Sequence, residues 1–357
     1  MLSVAATRGA DLLLPRRGAV RATFEQSYDA DALSPLHSAV LLNARAAAAA
    51  IIASVTPARA RTEITRRVVL PYKKSARVCD VFRRRLGSAT TSDDVESLAV
   101  SCINIAVDAA YPGMAKLLLT AGGNANESDA TQKPVLAHAL SSAENGVGQH
   151  AFGYAELRGA HAEGDEAAAM SIGERFARRF SKIARKLVRF GASCTVVDAY
   201  GWAPIHYAAK CSDAKIVRMI AERAGAASVA SPVRQGLAMS HSIGMTALHL
   251  TVQQYNGFFD RAPMPPDRAE KLKVLLELGA AAALDAVADG RTALEDAADL
   301  GDVECVEMLV AAGAVATHCD SDGKTAADLL APHAARRGAT AAQAALRKLR
   351  QTALALD

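Results

Sequence analysis

A short motif recurs along the chain at intervals that one globular core does not produce. Three clear copies read Gly-Met-Thr-Ala-Leu-His from Gly244, Gly-Arg-Thr-Ala-Leu-Glu from Gly290 and Gly-Lys-Thr-Ala-Ala-Asp from Gly323. In the last two, Thr292 and Thr325 are 33 residues apart. A period between about 20 and 50 residues is typical of proteins built from stacked supersecondary units. The recurrence therefore predicts a repeat array.

Each copy has the features of a helix-turn-helix unit. Gly201 and its equivalents stand where a hairpin turn needs a positive φ, and the Thr or Ser that opens most motifs caps a first helix. A Leu-rich run follows and ends at Gly279 or Gly313, as a second helix would. Leu276 and Leu309 lie in these runs and are predicted core residues. Hydrophobic residues are 51% of the chain but aromatics only 4%, which favours short, close-packed helices.

Two further copies, Ser34-Pro-Leu-His-Ser-Ala and Ala203-Pro-Ile-His-Tyr-Ala, complete a signature that resembles the ankyrin repeat. Weaker copies begin at Ser101 and Pro134, and the weakest begins near Thr65. The resemblance covers nearly the whole chain. It implies an all-α fold, an ankyrin-repeat solenoid of about seven to eight helix-turn-helix units with short β-hairpin turns.

Three of the intervals between motifs exceed one period, which indicates insertions. The predicted organisation is an N-terminal extension or cap at 1–28, degenerate units at 29–130 with a basic segment at 57–88, a unit at 131–197 with a long flexible insertion at 142–171, and well-matched units at 198–357, which include insertions near 226–241 and 255–268 and a C-terminal capping helix at 340–354.

The residues that resemble catalytic or metal-binding groups have a structural interpretation. His37, His206 and His249 recur at one motif position, but each unit supplies only one and places no carboxylate or thiol at ligand spacing, so no metal site is expected. The resemblance implies that this His hydrogen-bonds to the hairpin backbone. The chain contains no nucleophile-elbow, phosphate-loop or zinc-protease motif, so we expect neither enzymatic activity nor a cofactor.

The cysteine pattern bears on where the protein works. Six cysteines are scattered without a Cys-x-x-Cys pair, which is typical of reduced thiols and favours a cytoplasmic location. A nuclear location stays open, as does a mitochondrial one if residues 1–26 are a presequence. Those residues include four arginines, but Asp11 departs from the acid-poor composition of such signals. No uninterrupted apolar stretch is long enough to span a membrane.

The resemblance implies that the chain binds another protein on the groove formed by hairpin tips and first helices, as a monomeric adaptor, scaffold or substrate receptor. Side chains beside the signature are not expected to pack in the core and can contact a partner, whereas Ile205, Leu248 and Leu294 are expected to pack in the core. The predicted contact residues are Tyr200, Trp202, Lys210, Met245, Gln253, Gln254 and Arg291.

Charge patterning supports an alternative function. Segment 57–88 is strongly basic, whereas acids outnumber bases by about two to one in 260–328. The basic N-terminal half could thus bind a membrane surface or nucleic acid, although a net charge of +4 does not demand it. A targeting subunit of an enzyme complex is a further alternative.

The stretch from Glu174 to Phe190 is basic and amphipathic. Its apolar stripe, formed by Phe176, Phe180, Ile183 and Leu187, suits either the second helix of a repeat or an exposed membrane or calmodulin-target helix. Within this stretch, Arg178-Arg-Phe-Ser181 resembles a basophilic kinase site, so Ser181 is a predicted phosphorylation site.

Overall fold

The computed structural model describes residues 34–71, 97–128, 133–145, 166–234, 243–253, 267–336 and 339–354. Almost all regular structure in them is helical. The α-helices are α1 (Pro35–Leu41), α2 (Arg45–Ala53), α3 (Pro57–Thr65), α4 (Cys102–Asp108), α5 (Pro112–Thr120), α6 (Val135–Asn145), α7 (Glu166–Arg189), α8 (Pro204–Cys211), α9 (Ala214–Ala224), α10 (Ala226–Val229), α11 (Ala247–Val252), α12 (Arg268–Glu277), α13 (Ala293–Asp299), α14 (Val303–Ala311), α15 (Ala326–Ala334) and α16 (Thr340–Leu354).

Seven pairs of these helices pack as two-helix units. In the compact unit Met1–Ser193 they are α1 with α2, α4 with α5, and α6 with α7. In the compact unit Cys194–Asp357 they are α8 with α9, α11 with α12, α13 with α14, and α15 with α16. Within each compact unit, first helices contact the next first helices, and second helices contact the next second helices. The predicted stack of helix-turn-helix repeats is confirmed.

Local chemistry explains why the first helices start where they do. The Ser34, Thr292 and Thr325 hydroxyls accept hydrogen bonds from backbone N–H groups in the first turns of α1, α13 and α15. Such caps satisfy donors that a helix end leaves without a partner. The core is then built from small and branched residues: Ile205, Leu248 and Leu294 are buried as predicted.

Two buried cations on α12 donate hydrogen bonds to carbonyl groups at the C-terminal ends of first helices. The Lys271 Nζ donates to the Ala209 carbonyl over 3.0 Å, near the end of α8. The Arg268 guanidinium donates to the Val252 carbonyl at the end of α11 and lies 3.2 Å from an Asp302 carboxylate oxygen. The last carbonyls of a helix lack partners and attract positive charge. These second-helix residues therefore supply hydrogen-bond donors to the terminal carbonyl groups of α8 and α11.

The weakest predicted copy is wrong at its start. Where a first helix was expected after Thr65, Val68–Pro71 forms strand β1, which pairs antiparallel with Ser97–Val100, strand β2. The sequence of β1 is Val-Val-Leu-Pro, whose β-branched residues favour a strand and whose Pro disfavours helix continuation. The rest of this copy, through Phe82, lies outside the described residues.

The predicted insertions lie largely outside the described residues, as do the N-terminal extension and residues 72–88 of the basic segment. The predicted flexible insertion at 142–171 is drawn too wide, because α6 continues to Asn145 and α7 begins at Glu166. Near 226–241, α10 occupies Ala226–Val229. A helix at Thr340–Leu354 has the bounds predicted for the capping helix.

One predicted core position is also corrected. Leu309 is fully buried, but Leu276 is partly exposed, whereas the two residues before it, Val274 and Leu275, are buried. The buried Leu309 and the partly exposed Leu276 therefore serve as test and control positions for one substitution. We predict that Leu309→Asp prevents soluble expression, because an unpaired buried carboxylate costs several kcal/mol of a stability that totals only about 5–15 kcal/mol. Leu276→Asp should express and melt cooperatively. Equal melting temperatures for both variants would contradict the observed register.

Candidate protein-binding face

A single carboxylate shapes the turn before α8. Asp198 Oδ1 accepts from the backbone N–H groups of Tyr200, at 2.9 Å, and Trp202, at 3.0 Å. The other oxygen, Oδ2, accepts from the Tyr207 hydroxyl at 2.6 Å. Gly201 has a φ of 82°, a conformation that costs glycine little. One buried side chain thus fixes the backbone that carries two predicted contact residues.

The Trp202 ring is held by its neighbours but stays partly exposed. Its centroid lies 5.0 Å from the Tyr207 ring and 6.2 Å from the His206 ring, which it meets edge-on. The Lys210 Nζ lies 5.8 Å from the Trp202 centroid, a cation–π contact. Among the described residues of the predicted set, Trp202 and Lys210 are thus brought into direct contact.

The turn before α15 repeats this construction. Asp320 Oδ1 accepts from the backbone N–H groups of Asp322 and Lys324, each at 2.9 Å. These bonds, led by the one from Lys324, hold the pKa of the Asp320 carboxyl below its usual range. Asp198 and Asp320 each stand three residues before the turn glycine. This Asp-x-x-Gly spacing was readable in the sequence and was missed as a signal.

Gln253 and Arg291 each face a carboxylate of the following repeat, Asp296 and Asp320, and Arg291 also pairs with Asp299 of its own repeat. The Gln253 amide donates to Asp296 Oδ2 at 3.0 Å. The Arg291 guanidinium lies 2.8 Å from an Asp299 oxygen and 3.3 Å from an Asp320 oxygen. Burial raises the pKa of the Asp296 carboxyl to about 6, against the lowering effects of Gln253 and Arg291. Both side chains therefore link adjacent repeats.

Met245 is wrong as a surface contact, since it is only 3% exposed. It occupies the same motif position as Trp202 and Arg291, just before the residue that opens the first helix. Its carbonyl accepts from the Val233 backbone N–H at 2.8 Å, and its flexible apolar side chain is buried in the core. Gln254 lies outside the described residues.

The recurring histidines bridge the start of their own helix to a later segment. His37, His206 and His249 are fully buried, and their Nε2 atoms lie 3.1, 2.9 and 3.2 Å from the carbonyls of Arg66, Ser231 and Arg291. In two of them Nδ1 accepts from the backbone N–H that opens the motif, at 2.9 Å from Ala203 and 3.2 Å from Thr246.

The backbone N–H groups of Ala203 and Thr246 determine the tautomer of the His206 and His249 rings. A nitrogen that accepts from an amide cannot itself carry a proton, so the proton sits on Nε2 and is donated to the carbonyl. Burial lowers the pKa of all three histidines from the ordinary 6.5. The hydrogen-bond role implied by the resemblance is therefore present, and it requires neutral imidazole.

Glu295 occupies the histidine position in the following repeat. It accepts hydrogen bonds on both sides of the link, whereas a histidine accepts on one side and donates on the other. Its Oε2 accepts from the Thr292 backbone N–H at 2.7 Å and from the Thr292 hydroxyl at 3.1 Å. Its Oε1 lies 2.8 Å from the Nδ1 of His318, a side chain of the next turn. A carboxylate cannot donate to a carbonyl, so the partner is a ring nitrogen that can donate.

One face of the basic helix α7 packs in the core. Phe176, Phe180, Ile183 and Leu187 are buried, with exposures of 4% or less. The helix packs on α5 and α6 and is therefore the second helix of a repeat, not an exposed amphipathic element. Ser181 is partly exposed in the middle of this helix, and its phosphorylation stays a prediction.

Within the described ranges, no three His, Cys, Asp or Glu side chains come together as a metal site requires. No helix found there is long and apolar enough to cross a membrane.

Comparison with known proteins identifies the repeat. Residues 289–321, which contain α13, α14 and the Glu295–His318 link, match the ankyrin repeat family model. This segment of the chain is an ankyrin repeat. The same helix pair and bridging side chains recur outside the matched segment, in both compact units. Ankyrin repeats generally serve as protein–protein interaction modules.

Solved ankyrin structures are similar to this chain. The ankyrin repeat domain of human ASB11 has 19% sequence identity and a TM-score of 0.49, with 89% of this chain and 98% of that chain covered. The ankyrin repeat domain of Bcl-3, described as a unique member of the IkappaB protein family, has 16% identity and a TM-score of 0.46, covering 88% and 98%. The ankyrin repeat protein EF0377 has 19% identity and a TM-score of 0.44, covering 69% and 96%. No curated protein sequence gives a match.

We predict that His206→Asn destabilises the protein by about 1–3 kcal/mol at pH 7, because Asn keeps a capping acceptor but loses the donor to Ser231. The capping box that Asn104 forms with Ser101 shows that this residue type suits the position. Chemical denaturation with circular dichroism detection measures the change.

The same variant should flatten the dependence of stability on pH. The pKa of His206 is lower in the folded than in the unfolded state, so the unfolded chain binds more protons and stability falls as pH drops below about 6.5. Asp296 acts in the opposite direction, because its raised pKa makes acidification from about 6 favour the folded state. His206→Asn leaves Asp296 in place, so the difference between the two proteins isolates the histidine. Parallel pH profiles would contradict the neutral bridge.

Proposed function

We propose that this chain of stacked repeats is a non-enzymatic adaptor, scaffold or substrate receptor that captures a protein partner on the face around Trp202. One observation carries the proposal: a large aromatic side chain is partly exposed at a turn whose backbone is fixed by Asp198. Aromatic anchors supply much of the binding free energy in protein interfaces.

Pre-organisation is the reason to favour Trp202 over other exposed apolar residues. Tyr207 packs on one part of its ring, and Lys210 lies over it. The side chain therefore has little rotamer freedom left to lose when a partner binds, and that loss is a principal cost of association. The free protein already presents its anchor in a restricted orientation.

Polar groups that flank the anchor suit the rim of an interface. Lys210 and Arg291 are partly exposed cations, and Tyr200 presents a partly exposed ring at the same turn. Rim charges change the association rate and its salt dependence more than they change affinity. We assign Tyr200 and Trp202 to the anchor region and Lys210, Gln253 and Arg291 to the rim. The proposal also includes a cytoplasmic location.

A targeting subunit that docks an enzyme would use the same face, so the two roles differ only in the partner. Insertion of α7 into a membrane is disfavoured, because its apolar residues are buried in the repeat core. The face around Trp202 is consequently the best-supported binding surface.

We predict that Trp202→Ala weakens binding by about 2 kcal/mol or more, roughly thirtyfold, because truncation removes the anchor. The partner is first isolated by affinity purification and identified by mass spectrometry, and its affinity is then measured by calorimetry. Tyr207→Phe tests positioning: it keeps the ring but removes the hydroxyl that donates to Asp198, so it should weaken binding less than Trp202→Ala.

Arg347→Ala is the control, since this exposed residue lies on α16 and donates to the Gln343 carbonyl within its own helix. The control should bind like wild type. If Trp202→Ala melts normally and also binds like wild type, the partner docks elsewhere and the proposal fails.

A further inference from the structure

The solvent-exposed side of α7 carries a row of cations. Lys182, Lys186 and Arg189 follow one another at intervals of four and three residues, which places them on one face at successive turns. The rises between them are about 6 and 4.5 Å along the helix axis. Lys182 and Arg189 are exposed and Lys186 is partly exposed.

The neighbouring second helix extends the row. α5 packs against α7 and carries the exposed Lys116. The pKa of Lys186 is lowered by partial burial and then by the positive charges of Lys116, Arg189 and Lys182, so each of these three groups lies within electrostatic reach of Lys186. We name Lys116, Lys182, Lys186 and Arg189 the cationic ridge.

No described carboxylate in residues 34–193 neutralises the cationic ridge. The three whose side chains are described are engaged elsewhere: Glu63 with Arg66, Glu127 with Arg67, and Asp108 with His138. Like charges that repel one another without a counter-charge are stabilised when an anionic partner approaches.

We propose that the cationic ridge is a docking surface for an acidic protein segment, rich in Asp and Glu. It belongs to the compact unit Met1–Ser193, shares no residue with the face around Trp202, and uses second helices instead of turns and first helices. The spacing of the ridge along α7 is that of one helix face, so a short segment with carboxylates at successive turns can pair with several cations at once.

Two other polyanions fit less well. A membrane surface would gain little beyond charge, because the apolar stripe of α7 is buried. A long nucleic acid would meet unfavourable charge elsewhere: the chain has a net charge of only +4, and in residues 267–328 acids outnumber bases by more than two to one. A short acidic segment contacts the ridge alone and avoids that repulsion.

The test uses the full chain and a fluorescent peptide of ten glutamates, with binding followed by anisotropy at low salt. The double variant Lys182→Glu with Lys186→Glu should bind about tenfold more weakly, since two exposed pairs are lost and two repulsions are gained. Binding of the wild type should weaken steeply as salt shortens the screening length.

The matched control is Arg347→Glu with Lys348→Glu on α16, which makes the same change in net charge at two exposed positions. It should bind the peptide like wild type, as should Trp202→Ala. Thermal melting checks that all variants fold. If the charge-reversal variant does not fold, Lys182→Gln with Lys116→Gln replaces it, with a smaller but measurable loss expected.

Three results would overturn the proposal: no binding of the glutamate peptide by the wild type, equal binding by the ridge variant and the wild type, or equal losses in the ridge variant and the α16 control. A ten-nucleotide single-stranded DNA and vesicles containing phosphatidylserine serve as competing ligands. Tighter binding of either one, lost in the ridge variant, would assign the ridge to phosphate and not to an acidic protein segment.

Discussion

The buried link between the start of one first helix and the backbone of a later segment is the interaction on which the stack depends. His206 and His249 accept an N–H from their own motif at one ring nitrogen and donate to a distant carbonyl from the other. Each ring thus satisfies two buried backbone groups that would otherwise cost free energy. Because the links set where each turn sits, they also set where Trp202 and Arg291 are presented.

Glu295 shows that the requirement is for complementary donors and acceptors, and not for histidine as such. Replacing a ring by a carboxylate removes the donor that would have reached a carbonyl, and the chain supplies a donor from the other side in His318. The carboxylate at position 295 therefore forms the link only because His318 supplies a donor. The segment containing both is the one that matches the family model, so a reversed link is compatible with a well-formed repeat.

What could be predicted from the sequence was the part encoded locally. The Thr caps, the turn glycines and the buried Ile205, Leu248 and Leu294 each follow from a pattern within one repeat. Burial of Met245 and exposure of Leu276 depend on how neighbouring repeats meet, which no single motif contains. The strand after Thr65 is a similar case, since it needs a partner at Ser97–Val100. The Asp198 and Asp320 turns were readable, but their significance appeared only with their hydrogen bonds.

The central claim, that buried neutral imidazoles join the repeats, is tested most directly by nitrogen-15 NMR of the histidine side chains through a pH titration. Nitrogen shifts distinguish the two neutral tautomers from imidazolium. The account predicts that His206 and His249 carry their proton on Nε2 at pH 7 and remain neutral below pH 6.5, because burial lowers their pKa. Protonation of both rings at or above pH 6.5, or a proton on Nδ1 at neutral pH, would contradict it.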